Sequence, residues 1–196
     1  MKTPHLKHYQ LCLLLLAFSF LLFSGMKCKK EATGFDALPT ATQEGKETFG
    51  CLVNGEVFTP KGSNLGGPTL SSYYQYLNSP TAQGYFFNVS AIKKNGGNNG
   101  TEGVNINTNN KEIEQGQKYV LQNGPEDGQI YGSYGITISI NSNEFITKGI
   151  YKGELYVSKF DEINQIVSGT FWFDAVNDKG EKVEVREGRF DVRYLK

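Results

Sequence analysis

The feature that most constrains the fold is a two-residue alternation of apolar and polar side chains, which recurs along residues 48–196. It is clearest in QIVSGTFWFDAV (165–176), where Val167, Phe171 and Phe173 fall on one side and Trp172 falls on the other. Successive side chains of a strand point to opposite faces, so this spacing predicts a half-buried β-strand. No stretch shows sustained helical periodicity with caps, and we therefore predict an all-β domain.

A tight hairpin is predicted at Asn54-Gly55, because a two-residue β-turn needs positive φ at both central positions and this dipeptide tolerates it. The turn pairs Cys51 with Phe58 and Leu52 with Val57. Cys51 then lies on the apolar face, and we expect a small buried hydrophobic side chain there rather than a reactive thiol.

In the last predicted strand, the apolar residues change from odd-numbered to even-numbered positions along its length. Val183 and Val185 alternate inward, yet Phe190 and Val192 continue the apolar pattern on the opposite parity. One extra residue restores the register, so we predict a β-bulge at Glu187-Gly188. In EGRFD (187–191), where Arg189 and Asp191 flank Phe190, we expect a cross-strand or bulge-stabilising charge pair.

Further strands are predicted where similar patterns lie between turn residues. They are 69–78, 84–92, 102–109, 116–122, 130–140 and 149–160. Regularly spaced strands of this kind predict a single antiparallel domain, either a β-sandwich or an open β-barrel.

The N-terminus resembles an export signal. A short basic segment precedes the apolar run LCLLLLAFSFLLF (11–23), which is shorter than the roughly 20 residues of a spanning helix. We predict a signal peptide at 1–27 and lipid attachment at Cys28, the first cysteine after the run. The alternatives are ordinary secretory cleavage near Ser24 or Gly25, which would allow a bridge between Cys28 and Cys51, and an uncleaved membrane anchor.

Residues 28–47 are predicted to be a flexible tether, because they lack periodic apolar residues and contain glycine and proline. The domain then occupies 48–196. The predicted location is the cell envelope, with the chain held by its lipid at the outer membrane and facing the periplasm or the exterior.

The composition limits the range of functions that the protein can have. Removing 1–27 takes away Lys2, Lys7 and Lys27 and leaves 17 basic against 20 acidic residues, a net charge of about −3. Without a basic excess we expect no nucleic-acid partner. Both histidines, His5 and His8, leave with the signal, which excludes His-dependent nucleophilic catalysis and disfavours zinc sites. We predict no enzyme activity, cofactor or metal.

Exposed aromatic residues are the best candidates for binding. Tyr73, Tyr74, Tyr76 and Trp172 are predicted to form a surface platform for an envelope protein or a glycan, since aromatic faces stack well on apolar surfaces. The alternative is that these rings cover a second layer of the fold.

Two segments carry a family resemblance. LPTATQEGKETFGCLVNGEVFTPKG (38–62) and VSGTFWFDAVNDKGEKVEVREGRFDVRY (167–194) resemble an uncharacterised family of Bacteroidota lipoproteins, domain-of-unknown-function family 6252. The resemblance covers nearly all of the mature chain. It implies a secreted, lipid-anchored β-domain and implies no activity or catalytic residues.

The function expected from the sequence is a lipid-anchored, non-enzymatic binding or structural module. One alternative is a lipocalin-like carrier, which predicts a cavity lined by Phe and Tyr. The other is a carboxylate-dependent hydrolase, which predicts two acids converging in a cleft with perturbed pKa values.

Overall fold

The alternating segments form an antiparallel sheet of eleven strands in the computed structural model, which describes residues 34–62, 67–95 and 100–196. The strands are β1 (Thr48–Val53), β2 (Glu56–Phe58), β3 (Leu70–Ser79), β4 (Ala82–Lys94), β5 (Thr101–Thr108), β6 (Lys118–Leu121), β7 (Ile130–Ile138), β8 (Asn141–Ile146), β9 (Gly153–Asp161), β10 (Ile166–Val176) and β11 (Lys182–Arg193). The all-β prediction is confirmed. The predicted signal peptide and Cys28 lie outside the described residues, in which no helix is long and apolar enough to cross a membrane.

The sheet consists of two half-sheets that meet at β10. The first half-sheet has the order β2-β1-β11-β10-β9-β6, and the second has the order β8-β7-β5-β4-β3. Between the named strands of the two half-sheets, the described pairing is a single contact of Val176 with Ile146. Isolated bridges also link Tyr73 with Leu195 and Lys61 with Lys93, and the sheet does not close into a barrel. The open antiparallel architecture predicted above is therefore the one observed.

The inward faces of the two half-sheets pack directly on each other. The rings of Phe87 on β4 and Phe190 on β11 lie 6.4 Å apart between centroids. A Cβ added to Gly132 on β7 would lie 2.6 Å from the ring of Phe173 on β10. Glycine is thus required at that point because the opposite ring occupies the space of its side chain.

The first hairpin has the predicted register, with Cys51 opposite Phe58 and Leu52 opposite Val57. Asn54 and Gly55 both adopt positive φ, at 49° and 83°. Cys51 is fully buried and is a free cysteine within the part of the chain that the structure describes. It is part of the core, as expected.

Burial raises the pKa of the Cys51 thiol, because the thiolate would be desolvated. We expect the peptide that contains Cys51 to stay unmodified when the native protein is treated with a maleimide at neutral pH. It should react fully in denaturant, as measured by peptide mass spectrometry. Rapid native labelling at Cys51 would contradict its placement in the core.

The predicted bulge is confirmed, although its backbone differs in one respect. Phe171 pairs with Gly188 and Phe173 pairs with Val185, so β11 has one extra residue opposite β10. The residue with positive φ is Glu187, at 54°, and not the glycine. Gly188 is required for a different reason, because a Cβ there would lie 2.5 Å from the Phe171 ring.

The segment 34–47, the described part of the predicted tether, packs on the domain. Gly34–Ala37 form a short 3-10 helix, and Leu38 is buried. The phenyl ring of Phe35 lies 4.5 Å from the guanidinium of Arg189. Contacts with the domain thus begin well before residue 48.

Asp191 on β11 is the attachment point of this segment. Its carboxylate accepts hydrogen bonds from the Thr42 hydroxyl at 2.5 Å, from the backbone amides of Glu44, Gly45 and Lys46 at 2.8–3.2 Å, and from the Ser168 hydroxyl at 2.7 Å. Burial alone would raise the pKa of Asp191, but these donors outweigh it and hold the pKa well below its ordinary range.

The expected charge pair of the segment 187–191 is confirmed, and it does not include Asp191. Arg189 lies 3.4 Å from the carboxylate of Glu187, within the bulge. Asp191 forms no ion pair in the described part of the chain, because backbone and hydroxyl donors surround its carboxylate.

Candidate functional site

The four aromatic residues predicted to form one platform lie in three different places. Tyr73 lies on the outer face of the second half-sheet and is 36% exposed, whereas Tyr74, its neighbour on β3, points inward and is 8% exposed. Tyr76 shares the side of Tyr74 but reaches the rim, where it is 52% exposed. Trp172 lies on the outer face of the first half-sheet. Adjacent strand residues alternate between faces, so these four rings do not form a single surface.

Trp172 is 43% exposed and lines a cleft of about 410 Å³ beside the bulge. The Arg186 guanidinium lies 5.5 Å from the centre of its ring. Arg186 also donates to Asp174 at 2.5 Å and to the Phe173 carbonyl at 3.0 Å. The cation that faces this ring is thus supplied by the protein itself.

Tyr73 belongs to a polar row that crosses the second half-sheet. It pairs with Asn88, which pairs with Asn107, which pairs with Tyr131. The Asn88 side-chain amide donates to the Asn107 side-chain oxygen at 2.7 Å. This row is uncharged, and the two amides partly satisfy each other.

Tyr74 and Tyr76 lead to a better candidate, which we call the aromatic pocket. It is a cavity of about 280 Å³ between the end of β9, the β3–β4 hairpin and the connection that precedes β6. Its lining includes three rings and three carboxylates: Tyr74, Tyr85, Phe160, Glu112, Glu114 and Glu162.

The three rings form a fixed apolar surface. Tyr74 and Tyr85 are stacked, with centroids 5.3 Å apart and an angle of 12° between their planes. Phe160 stands almost perpendicular to Tyr74, at 4.9 Å and 84°. Tyr76 extends the cluster at the rim, 5.1 Å from Tyr85. Edge and face contacts of this kind hold aromatic rings in defined orientations.

Strand register explains why these rings meet. Tyr76 lies directly opposite Tyr85 in the β3–β4 hairpin, which places Tyr74 diagonally next to Tyr85 on the same side. Phe160 comes from the end of β9, in the other half-sheet. The cluster therefore forms where the two half-sheets come together.

Backbone contacts position the acidic rim. The Lys111 amide donates to the Tyr85 carbonyl at 2.9 Å, and the Glu114 amide donates to the Tyr119 hydroxyl at 2.8 Å. The Phe160 amide donates to the side-chain oxygen of Gln115 at 3.1 Å. Both ends of the segment that carries Glu112 and Glu114 are thus attached to neighbouring strands.

The electrostatics of the pocket are negative. The pKa of the Tyr74 hydroxyl is raised, first by burial and then by the charge of Glu112, by Tyr85 and by Glu162. None of Glu112, Glu114 and Glu162 takes part in an ion pair within residues 34–62, 67–95 and 100–196. No described group of His, Cys, Asp and Glu residues is arranged to hold a metal ion.

One polar atom beside the pocket is unsatisfied. The Tyr194 ring is 1% exposed, stacks on Phe160 at 5.6 Å and meets Tyr74 edge-on at 6.0 Å. Its hydroxyl has no hydrogen-bond partner among the described residues. Burial, followed by the charges of Glu162 and Asp161, raises the pKa of that hydroxyl to about 12.

Sequence reasoning predicted Tyr74 and Tyr76 but missed Tyr85, Phe160 and the glutamates. The available signal was the run KEIEQ (111–115), in which acidic residues flank a single apolar one, and Ile113 is indeed buried. Nothing local to that run indicates which rings it covers.

The sequence matches the family model described as Domain of unknown function (DUF6252) over residues 78–192, more than half of the chain. Tyr85, Phe160 and the three glutamates lie within the match, whereas Tyr74 and the segment 38–62 lie before it. Searches of curated proteins and of solved structures each returned no match.

Proposed function

The chain belongs to the DUF6252 family, and from that starting point we propose that it is a non-enzymatic binding module held at the cell envelope by a lipid on Cys28. The observation that carries the binding role is the aromatic pocket. Its three rings are held by contacts with one another, and its rim has three carboxylates without ion-pair partners in the described structure. Concave apolar sites with a few convergent polar groups are the usual form of small-ligand sites.

The anchoring role rests on the sequence. The apolar run 11–23 is followed closely by Cys28 and a polar segment. An acylated Cys28 would lie seven residues before Phe35, whose ring contacts Arg189. Several acyl chains together hold a protein firmly at a membrane, whereas one chain gives only marginal binding.

Changing Cys28 to serine tests the anchor. We expect the unchanged protein, isolated from membranes of its native host, to begin at Cys28 and to show the mass of an acylated chain by intact mass spectrometry. The Cys28→Ser variant should lose that mass and leave the detergent phase on phase separation, since its lipid attachment atom is gone.

Cys12→Ser is the matched control, because Cys12 lies within the predicted signal peptide and should not affect the mature protein. A native chain that starts near Gly25 or Met26 without acylation would contradict the lipid anchor. It would leave the argument for the pocket intact.

The lipocalin-like carrier is not favoured by the packing between the half-sheets. Phe87, Val89, Val104, Phe173 and Val185 are fully buried and face the same interior. Gly132 is in close contact with the Phe173 ring. A carrier needs an internal cavity at this position, and side chains fill the one that the strands enclose.

The hydrolase alternative requires a carboxyl group whose pKa is raised, so that it can act as an acid. The described carboxyl groups with a shifted pKa are Asp161, Glu181 and Asp191, and in all three the pKa is lowered. Asp161 and Glu181 are lowered chiefly by hydrogen bonds from Asn164 and Asn177. The hydrogen bonds to Asp161 and Glu181 stabilise turns, and at all three positions the pKa is shifted away from the value that a general acid needs.

A further inference from the structure

We propose that the aromatic pocket binds a small organic cation, specifically a quaternary ammonium group such as that of choline. This inference rests on the proposed binding function and names its ligand class. It follows from two features of the pocket: the aromatic rings that line it and the charge of its rim.

The rings supply the attraction for the apolar surface of the cation. Tyr74, Tyr85 and Phe160 all line a cavity of about 280 Å³, in which Tyr74 stacks on Tyr85 and Phe160 stands perpendicular to Tyr74. The negative face of an aromatic ring attracts a cation within about 6 Å of its centroid, and tyrosine is among the effective partners. A trimethylammonium group has no N–H to satisfy and is covered by methyl groups, so it loses little by entering such a site.

The carboxylates supply the charge and the selectivity. Glu112, Glu114 and Glu162 are exposed at the rim, on two separate chain segments. None has a basic partner in the part of the chain that the structure describes, unlike Glu154, which lies 3.0 Å from Lys118. An unpaired acidic rim over an aromatic floor favours a cation and repels an anion. The pocket should therefore prefer free choline to phosphocholine, whose phosphate would face these carboxylates.

Saturation-transfer difference NMR on the purified full chain, in a maltoside detergent without a choline headgroup, tests the proposal. We expect saturation of the choline methyl protons and a much weaker signal for 3,3-dimethylbutan-1-ol, which has the same shape without the charge. Phosphocholine should bind less tightly than choline, and vesicles of phosphatidylcholine should not compete.

The variant to test is Glu112→Gln with Glu162→Gln, which keeps the size of both side chains and removes two charges from the rim. The apparent choline affinity should fall roughly tenfold, because the double variant removes two of the three negative charges that attract the cation. Glu56→Gln is the matched control, since Glu56 is exposed at the first hairpin and is distant in sequence from the residues that line the pocket. Its affinity should equal that of the unchanged protein.

Equal saturation by choline and its neutral isostere would overturn the cation assignment, as would an unchanged affinity in the double variant. Preferential binding of phosphocholine or of the vesicles would also overturn it, because it would point to the phosphate as the recognised group. Some other compound could be saturated by the unchanged protein and not by a Tyr85→Leu variant that still melts cooperatively. That result would support the binding function of the pocket and would contradict the organic cation as its ligand. The mass measurement on Cys28 is independent of all these results.

Discussion

Replacing Asp191 with alanine is expected to lower the free energy of unfolding by about 3 kcal/mol, because it leaves several donors without their acceptor. The carboxylate accepts from the Thr42 and Ser168 hydroxyls and from three consecutive amides, Glu44, Gly45 and Lys46. Ser168 is fully buried, so its hydroxyl cannot turn to water. For a domain of this size the melting temperature should fall by roughly 6–12 °C.

A second readout separates this local effect from general destabilisation. Hydrogen exchange at the amides of Glu44, Gly45 and Lys46 should become fast in Asp191→Ala while the amides of β10 remain protected. Asp174→Ala is the matched control: Asp174 is also on a central strand, but its ion pair with Arg186 is partly exposed and contributes about 0–1 kcal/mol. An Asp191→Ala protein as stable as Asp174→Ala would contradict the assigned role.

The same carboxylate predicts a pH dependence. The pKa of Asp191 is lowered in the folded state, so its stabilisation is fully present above the unfolded value of about 3.9 and is lost as the pH falls toward the folded pKa. Asp191→Asn should therefore flatten the acid limb of the stability curve, measured by denaturant melts between about pH 2 and 5. An unchanged slope would show that Asp191 does not titrate in this way.

Replacing Gly153 with alanine is expected to be the most damaging change of a single methyl group. An added Cβ at this position would overlap the Trp172 carbonyl oxygen and the Phe173 side chain and backbone. Two of these contacts are with backbone atoms of the paired strand, which cannot rotate away as a flexible side chain can. Overpacking of this kind costs typically 1–3 kcal/mol and sometimes more, and we expect the upper end, measured by urea unfolding.

Gly103→Ala is the matched control. Gly103 is also a strand glycine without positive φ, but the nearest atom to its added Cβ is the Ala91 carbonyl oxygen at 3.8 Å. That variant should be neutral or more stable by about 0.5 kcal/mol, because alanine restricts the unfolded chain. Similar destabilisation of both variants would mean that strand propensity, and not the space around Gly153, decides the outcome.

Much of the fold could be predicted because its determinants are local. The Asn54-Gly55 turn sets the register of its own hairpin, and the parity change in β11 requires an extra residue wherever both ends of the strand face the core. Strand β8 was missed because its side chains are mostly polar and Phe145 is its one buried residue. The strand predicted at 130–140 ends two residues early, at Ile138, because a turn with positive φ at Ser139 follows it. Ile140 is therefore exposed.

The candidate site was less predictable because its parts are distant in sequence. Tyr74 and Tyr85 could be brought together by a hairpin, but Phe160 and Glu162 reach them only when the second half-sheet packs on the first. Asp191 shows the same limit. Its neighbours along the strand suggested a charge pair, whereas its partners are residues 42–46, almost the whole domain away in sequence.

The attachment of residues 42–46 to Asp191 determines how the domain responds to tension on its N-terminal end. Strand β11 lies inside the first half-sheet, with β1 on one side and β10 on the other. Force applied upstream of Thr42 thus reaches an interior strand before it reaches β1, so several hydrogen bonds share the load at once. Because Phe35 and Leu38 also contact the domain upstream of Thr42, tension at this end should release residues 34–46 from the domain before it separates β1 from β11.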